Sequence, residues 1–234
     1  MVSVQAANES DRIGLLRRAL APASGEQAGS ERALQRVERS VLDVLGGAER
    51  AHAARVRTFS TAVARLLGLD DRTTRTISVA GALHDVGKVF VSPAVLTKIE
   101  PLTRADWAEI RRHPTVGAAA LAPAVRRPDV LEIVRSHHER WDGQGYPDRS
   151  RGGDTPLGAR IVGVVDAFAA MTKRRCYRPP LRIEEAAAEL RANSGTQFDP
   201  DCVRALERLL FGTRSQRAPE RTAQTLLRPA LRAV

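Results

Sequence analysis

Five histidines, His52, His84, His113, His137 and His138, are the residues whose type and company point most directly to chemistry. Neutral imidazole and carboxylate are preferred ligands of first-row transition metals. His84 is followed by Asp85, and His137 by His138. Neighbouring residues on a helix point about 100° apart. An adjacent pair therefore serves one ion at a helix end or reaches two different ions. A carboxylate can bridge two ions and an imidazole normally cannot, which makes Asp85 the natural shared ligand if two metals are present. Two metals about 3.5–4 Å apart would hold a bridging hydroxide and clamp a phosphate ester for in-line attack. Such a centre needs no Ser or Cys nucleophile. The chain has neither a Gly-x-Ser-x-Gly elbow nor a Gly-x4-Gly-Lys phosphate loop.

The elements that must position these side chains are almost entirely helical. Apolar spacing predicts helices near 9–20, 30–45, 49–67, 73–85, 103–111, 113–122, 128–137, 157–171, 183–193 and 200–210. No alternation is strong enough for a sheet, so the fold class is all-α. His52 shares the stripe of Val56, Phe59 and Val63 and points inward. His84 closes a helix whose Ile77, Ala80 and Gly81 share its face, and His113 opens another with Pro114 behind it. Thr103 and Asp199-Pro200 are start signals, and Gly68 is a stop signal. Residues 22–30 read as a linker. Residues 142–155 are glycine-rich and read as a long surface loop, a kind of segment that is often functional.

Length and charge bound the rest. The chain has 234 residues, 43% hydrophobic and 27% charged, which suits one soluble domain with extensions or two very small domains, and no separate large sensor domain is expected within it. The net charge is +10, and 34 of its 37 basic residues are arginines. Residues 1–50 are neutral overall, 51–211 carry net +6, and 212–234 carry net +4. The excess suggests an anionic partner, with a genome biased toward Arg codons as the bland alternative. No basic helix with spaced aromatic readers is visible, so DNA is not expected. No run is long enough to span a membrane, no signal peptide is evident, and Cys176 and Cys202 form no metal framework. These features predict a cytoplasmic setting.

The motifs are more specific than the spacing. His84-Asp85-Val86-Gly87-Lys88 resembles the His-Asp-x-Gly-Lys signature of the HD superfamily of metal-dependent phosphohydrolases. The run His137-His138-Glu139-Arg140-Trp141-Asp142-Gly143-Gln144-Gly145-Tyr146-Pro147 matches, without a gap, the signature of its HD-GYP subfamily. His113-Pro114 with Gly117, the helix carrying Asp166, and Gly195–Pro200 resemble further family motifs. The resemblance covers about residues 45–212. It divides the chain into an N-terminal helical extension and linker (1–44), an HD-GYP domain (45–212) and a basic tail (213–234).

This resemblance implies an HD-type helical bundle with a buried multi-metal centre and a long Gly-Tyr-Pro loop. It implies that one metal is held by His52, His84, Asp85 and Asp166, and the second by Asp85, His113, His137 and His138. Some family members hold a third metal through a Glu four residues before the first His. Ala48 stands there in this chain, with Glu49 next to it, which favours two ions. Iron is the first expectation and manganese the alternative. The implied activity is hydrolysis of cyclic di-GMP by a metal-bridging hydroxide to pGpG, with continuation to GMP left open. Asp85 and Lys88 are the catalytic candidates, with Lys88 on the scissile phosphate.

Lys173, Arg175 and Arg178, in a basic run that includes Arg174 and Arg182, are candidate substrate ligands. Tyr146 is a candidate for the site rim or for contact with partner proteins through the loop, and Trp141 for stacking on a base or filling the core. The N-terminal residues are expected either to pack as helices on the domain or to form a homodimer contact. Two departures stand out: Ala169 where the family usually has Asp, and Lys173-Arg174-Arg175-Cys176-Tyr177-Arg178 where it has Ser-Asp-Arg-Pro-Tyr-Arg. They are the support for an alternative reading, a catalytically weak cyclic di-GMP-binding or protein-interaction module.

Overall fold

Helix ends leave backbone groups without partners, and this chain supplies side chains for several of them. The computed structural model describes residues 9–21, 30–173 and 179–212. The expected tail and all but the last residue of the expected linker lie outside them. Eleven α-helices follow in order: α1 Glu9–Leu20, α2 Glu31–Leu45, α3 Gly47–Leu66, α4 Asp71–Leu83, α5 Pro93–Leu96, α6 Arg104–Ile110, α7 His113–Val125, α8 Pro128–Ser136, α9 Leu157–Met171, α10 Ile183–Ala192 and α11 Pro200–Phe211. Two short 3-10 helices cover Val86–Phe90 and Gly152–Asp154. Among the described residues there is no strand, only an isolated bridge between Ser194 and Phe198.

Local chemistry accounts for many boundaries. The side chains of Ser30, Asp70 and Thr103 accept backbone N–H bonds at the starts of α2, α4 and α6. Thr103 and Asp106 form a reciprocal capping box. Asp199 caps α11 with Pro200 in the first turn. Gly68, at φ +76, follows the end of α3.

The core forms around α9. Its Ile161, Val162, Val165 and Phe168 are all buried, as are Ala159, Val164 and Ala167 on other faces, so it is an interior helix. It packs against α3, α4, α8, α10 and α11. No helix of the described residues is long and apolar enough to cross a membrane. Helix α1 buries Leu16 and lies against α2 and the Val86–Phe90 turn.

One boundary differs from the sequence reading. The helix expected over 73–85 ends at Leu83, and Asp85 leaves helical geometry at φ −96, ψ 5. The cause is tertiary. The 3-10 turn presses on the first turn of α7 so closely that a Cβ on Gly87 would lie 1.9 Å from the His113 carbonyl oxygen. Only a glycine fits there.

Candidate metal centre

Seven side chains converge from six elements. His52 comes from α3, His84 from the C-cap of α4, Asp85 from the start of the 3-10 turn and His113 from the start of α7. His137 caps α8, His138 follows it, and Asp166 projects from α9. His84, His113 and His137 are at most 1% exposed, and Asp85 and Asp166 are buried.

The same local device fixes three of the rings. Nδ1 of His84 donates to the Gly81 carbonyl at 2.9 Å, that of His113 to Ile110 at 2.7 Å, and that of His137 to Val134 at 2.7 Å. Each acceptor lies three residues back, in the last turn of a helix whose carbonyls lack intrahelical partners. A carbonyl only accepts, so each Nδ1 carries hydrogen and each Nε2 is turned to the centre. This is the tautomer and orientation that a metal-ligating histidine needs.

Two groups of donors result. His52 Nε2 lies 2.8 Å from Asp166 Oδ1, and His84 Nε2 lies 3.3 Å from Asp85 Oδ2 and 3.7 Å from Asp166 Oδ1. On the other side, His113, His137 and His138 offer ring nitrogens that all lie within 4.8 Å of one another. Asp85 stands between the groups. Its Oδ1 is 3.4 Å from His113 Nε2, and its Oδ2 faces His84 and His52.

These residues fit divalent transition-metal ions. His84 Nε2 and Asp85 Oδ1 are buried with no hydrogen-bond partner, an expensive arrangement unless a cation completes it. His113 Nε2 and His137 Nε2 stand 3.3 Å apart. With hydrogen on both Nδ1 atoms, two lone pairs face each other there. A shared cation turns that repulsion into coordination.

The electrostatics differ between the groups. Burial works against charge on His84, but Asp85 and Asp166 outweigh it and raise its pKa to about 10. Burial lowers His113 to about 4 and His138 to about 3, so both stay neutral. Burial also opposes charge on Lys88, yet Asp85, Asp166 and Glu49 raise its pKa, so the ammonium persists. Lys88 Nζ donates to Asp85 Oδ2 at 2.7 Å.

The other candidates divide. The Lys173 ammonium is held at the start of α3, 3.1 Å from both the Ala48 carbonyl and Glu49 Oε1. Arg174, Arg175 and Arg178 lie outside the described residues. Arg182 pairs with Glu185 at the exposed start of α10 and does not join the centre. Ala169 is 1% exposed, within the core cluster, so that departure faces packing and not the donors.

The loop after His138 is tightly structured. Tyr146 N–H donates to the His138 carbonyl at 3.2 Å, and the Tyr146 ring stacks on the His138 ring at 4.9 Å. Trp141 N–H and Asp142 N–H donate to the Gln197 and Thr196 carbonyls, which ties the loop to the segment before α11. Arg160 lies over the Trp141 ring and pairs with Asp199 at 2.5 Å. Trp141 is therefore covered by a guanidinium.

Beside His137 and His138 opens a cavity of about 520 Å³, lined in part by Trp107, Arg111, Gln144, Tyr146 and Arg160. Arg111 lies over both the Trp107 and Tyr146 rings, and the Tyr146 hydroxyl is buried without a partner. Sequence reasoning missed Trp107 and Arg111 as site residues. Trp107 lies in α6 and Arg111 caps its end, both outside every motif, and only the tertiary fold brings Arg111 to Tyr146.

Comparison with known proteins places the chain among HD domains. The family model described as "HD domain" matches residues 36–202. The 3'3'-cGAMP-specific phosphodiesterase 2 of Vibrio cholerae is 37% identical over 158 residues, covering 67% of this chain and 30% of that protein. The cyclic di-GMP phosphodiesterase response regulator RpfG of Xanthomonas campestris is 36% identical over 198 residues, covering 84% of this chain and 52% of that protein. The crystal structure of the cyclic GMP-AMP specific phosphodiesterase V-cGAP3 of V. cholerae superposes with a TM-score of 0.59 at 24% identity, covering 81% of this chain and 50% of that one. The chain thus spans about a third to a half of the length of these relatives.

Proposed function

The chain belongs to the HD domain family, and from that premise we propose that it is a metal-dependent phosphodiesterase that opens cyclic di-GMP to pGpG and further to GMP. The observation that carries this reading is Asp85, one carboxylate with an oxygen directed at each of two donor groups. His52, His84, Asp85 and Asp166 would hold one ion, and Asp85, His113, His137 and His138 the other, with iron first and manganese second. Glu49 is engaged by Lys173, which supports two ions over three. Such a pair supplies Lewis-acid charge neutralisation and an acidified water for phosphodiester cleavage.

The chain's own groups do the rest. Lys88 keeps its charge and is partly exposed, so it can receive a phosphate oxygen while Asp85 fixes its direction. Its raised pKa suits it to a clamp and not to proton donation. The cavity beside His138 offers the Trp107 and Tyr146 rings and the Arg111 guanidinium to a nucleobase. Lys173, just after α9, ties that end of the helix to the start of α3.

The test is turnover. Protein loaded with iron or manganese under reducing conditions and given cyclic di-GMP should yield pGpG and GMP, resolved by chromatography. Metal-loaded protein that binds cyclic di-GMP without forming either product would sink the enzyme reading and leave a binding module.

A further inference from the structure

We propose that helix α1 braces the turn carrying Asp85 and Lys88, with Arg12 as a positioning residue for the Lys88 ammonium; the inference rests on the role given to Lys88 above. Arg12 Nη2 donates to the Lys88 carbonyl at 2.8 Å, and Nη1 reaches the Val91 carbonyl at 3.4 Å. One guanidinium fork thus spans the C-terminal end of the 3-10 helix. A 3-10 turn has poor hydrogen-bond geometry of its own, and its last carbonyls need outside partners. Here the Lys88 N–H donates to the Asp85 carbonyl at 3.0 Å, and the Val91 N–H donates to the Lys88 carbonyl at 3.1 Å. The backbone that Arg12 grips is therefore the backbone from which Asp85 and Lys88 project.

The opposite side of the turn is fixed as well, by the contact of Gly87 with the His113 carbonyl. The turn is clamped between α7 and α1. Helix α1 is anchored independently of it: Leu16 is 1% exposed, and Arg36 donates to the Ala19 carbonyl at 3.2 Å. Helix α1 also lies before the matched residues 36–202, so the brace is an addition to that segment. Freeing one side of the turn lets Lys88 drift from the phosphate, and a misplacement of about 1 Å can cost about a hundredfold in rate.

The test compares the parent with R12A, R12Q and R12K, all loaded with manganese. Metal content, kcat and KM on cyclic di-GMP, and amide hydrogen exchange over residues 85–91 are measured, with α11 as the exchange control. R12A and R12Q should lower kcat/KM about tenfold to a hundredfold, speed exchange over 85–91 and leave α11 and metal content unchanged. R12K, which retains a cationic donor, should recover most of the rate. Parent-like kinetics and exchange in R12Q would overturn the brace, as would R12K no better than R12Q, or metal lost in step with activity. Should R12A not fold, R12Q and R12K carry the same comparison. A parent that turns over no cyclic dinucleotide would refute the phosphodiesterase reading, while the exchange data would still decide the brace.

Discussion

The two halves of the centre use similar donors under opposite electrostatic conditions. On the side of α3, α4 and α9, two imidazoles meet two carboxylates and a lysine, and the carboxylates raise His84 to about 10. On the side of α7 and α8, three imidazoles gather with one carboxylate oxygen beside His113, and burial holds His113 near 4 and His138 near 3. The first half pairs imidazoles with carboxylates; the second is built from neutral imidazoles. Asp85 is the carboxylate with one oxygen beside His84 and the other beside His113, so it joins the second half to the first.

Substitutions can break this contrast in order of severity. D85A should empty both halves, with metal content near zero and turnover lowered at least about a thousandfold, checked by elemental analysis and product chromatography. A D85A protein that keeps two ions would show that the carboxylate is not shared. H138A and H52A should each remove one ion and keep the other, and each should lower kcat at least about a hundredfold. Equal and complete metal loss in both would show one cooperative site in place of two halves.

K88A should leave metal content intact and lower kcat/KM about a hundredfold, because the ammonium serves the substrate and not the ions. The smallest effect lies in α6, which delivers the carbonyl that orients His113. Lys98 and the Thr103 groups hold Asp106 at about 2, below its ordinary value. A lowered carboxylate pKa stabilises the fold above the ordinary range near 4, and that contribution disappears as pH falls towards about 2. In metal-free protein, D106N should therefore melt slightly below the parent at neutral pH. The gap in Tm should close across that acid window. A gap independent of pH would assign the effect to lost cap geometry alone.

Much of this arrangement is legible in the sequence because it is local. The apolar run over 157–171 marks α9 to the residue, and Asp199-Pro200 and Gly68 mark ends through their own backbone chemistry. The donor set is legible because signature motifs carry six of its seven members, and the inward stripe carries His52. What escaped is non-local. The early end of α4 depends on Gly87 meeting α7, Arg12 reaches Lys88 across 76 residues, and Arg111 meets Tyr146 only in the folded chain. Propensity and periodicity carry no record of such encounters.

The three Nδ1–H bonds to helix-end carbonyls have a consequence for how the protein acquires its metals. Because carbonyls of the chain itself hold Nδ1 of His84, His113 and His137, folding aims their Nε2 atoms at the centre without help from an ion. The donors then form a finished mould. A mould of this kind does not record which metal was present during synthesis. Folded protein stripped with a chelator should therefore take up iron or manganese again on addition, as elemental analysis would read.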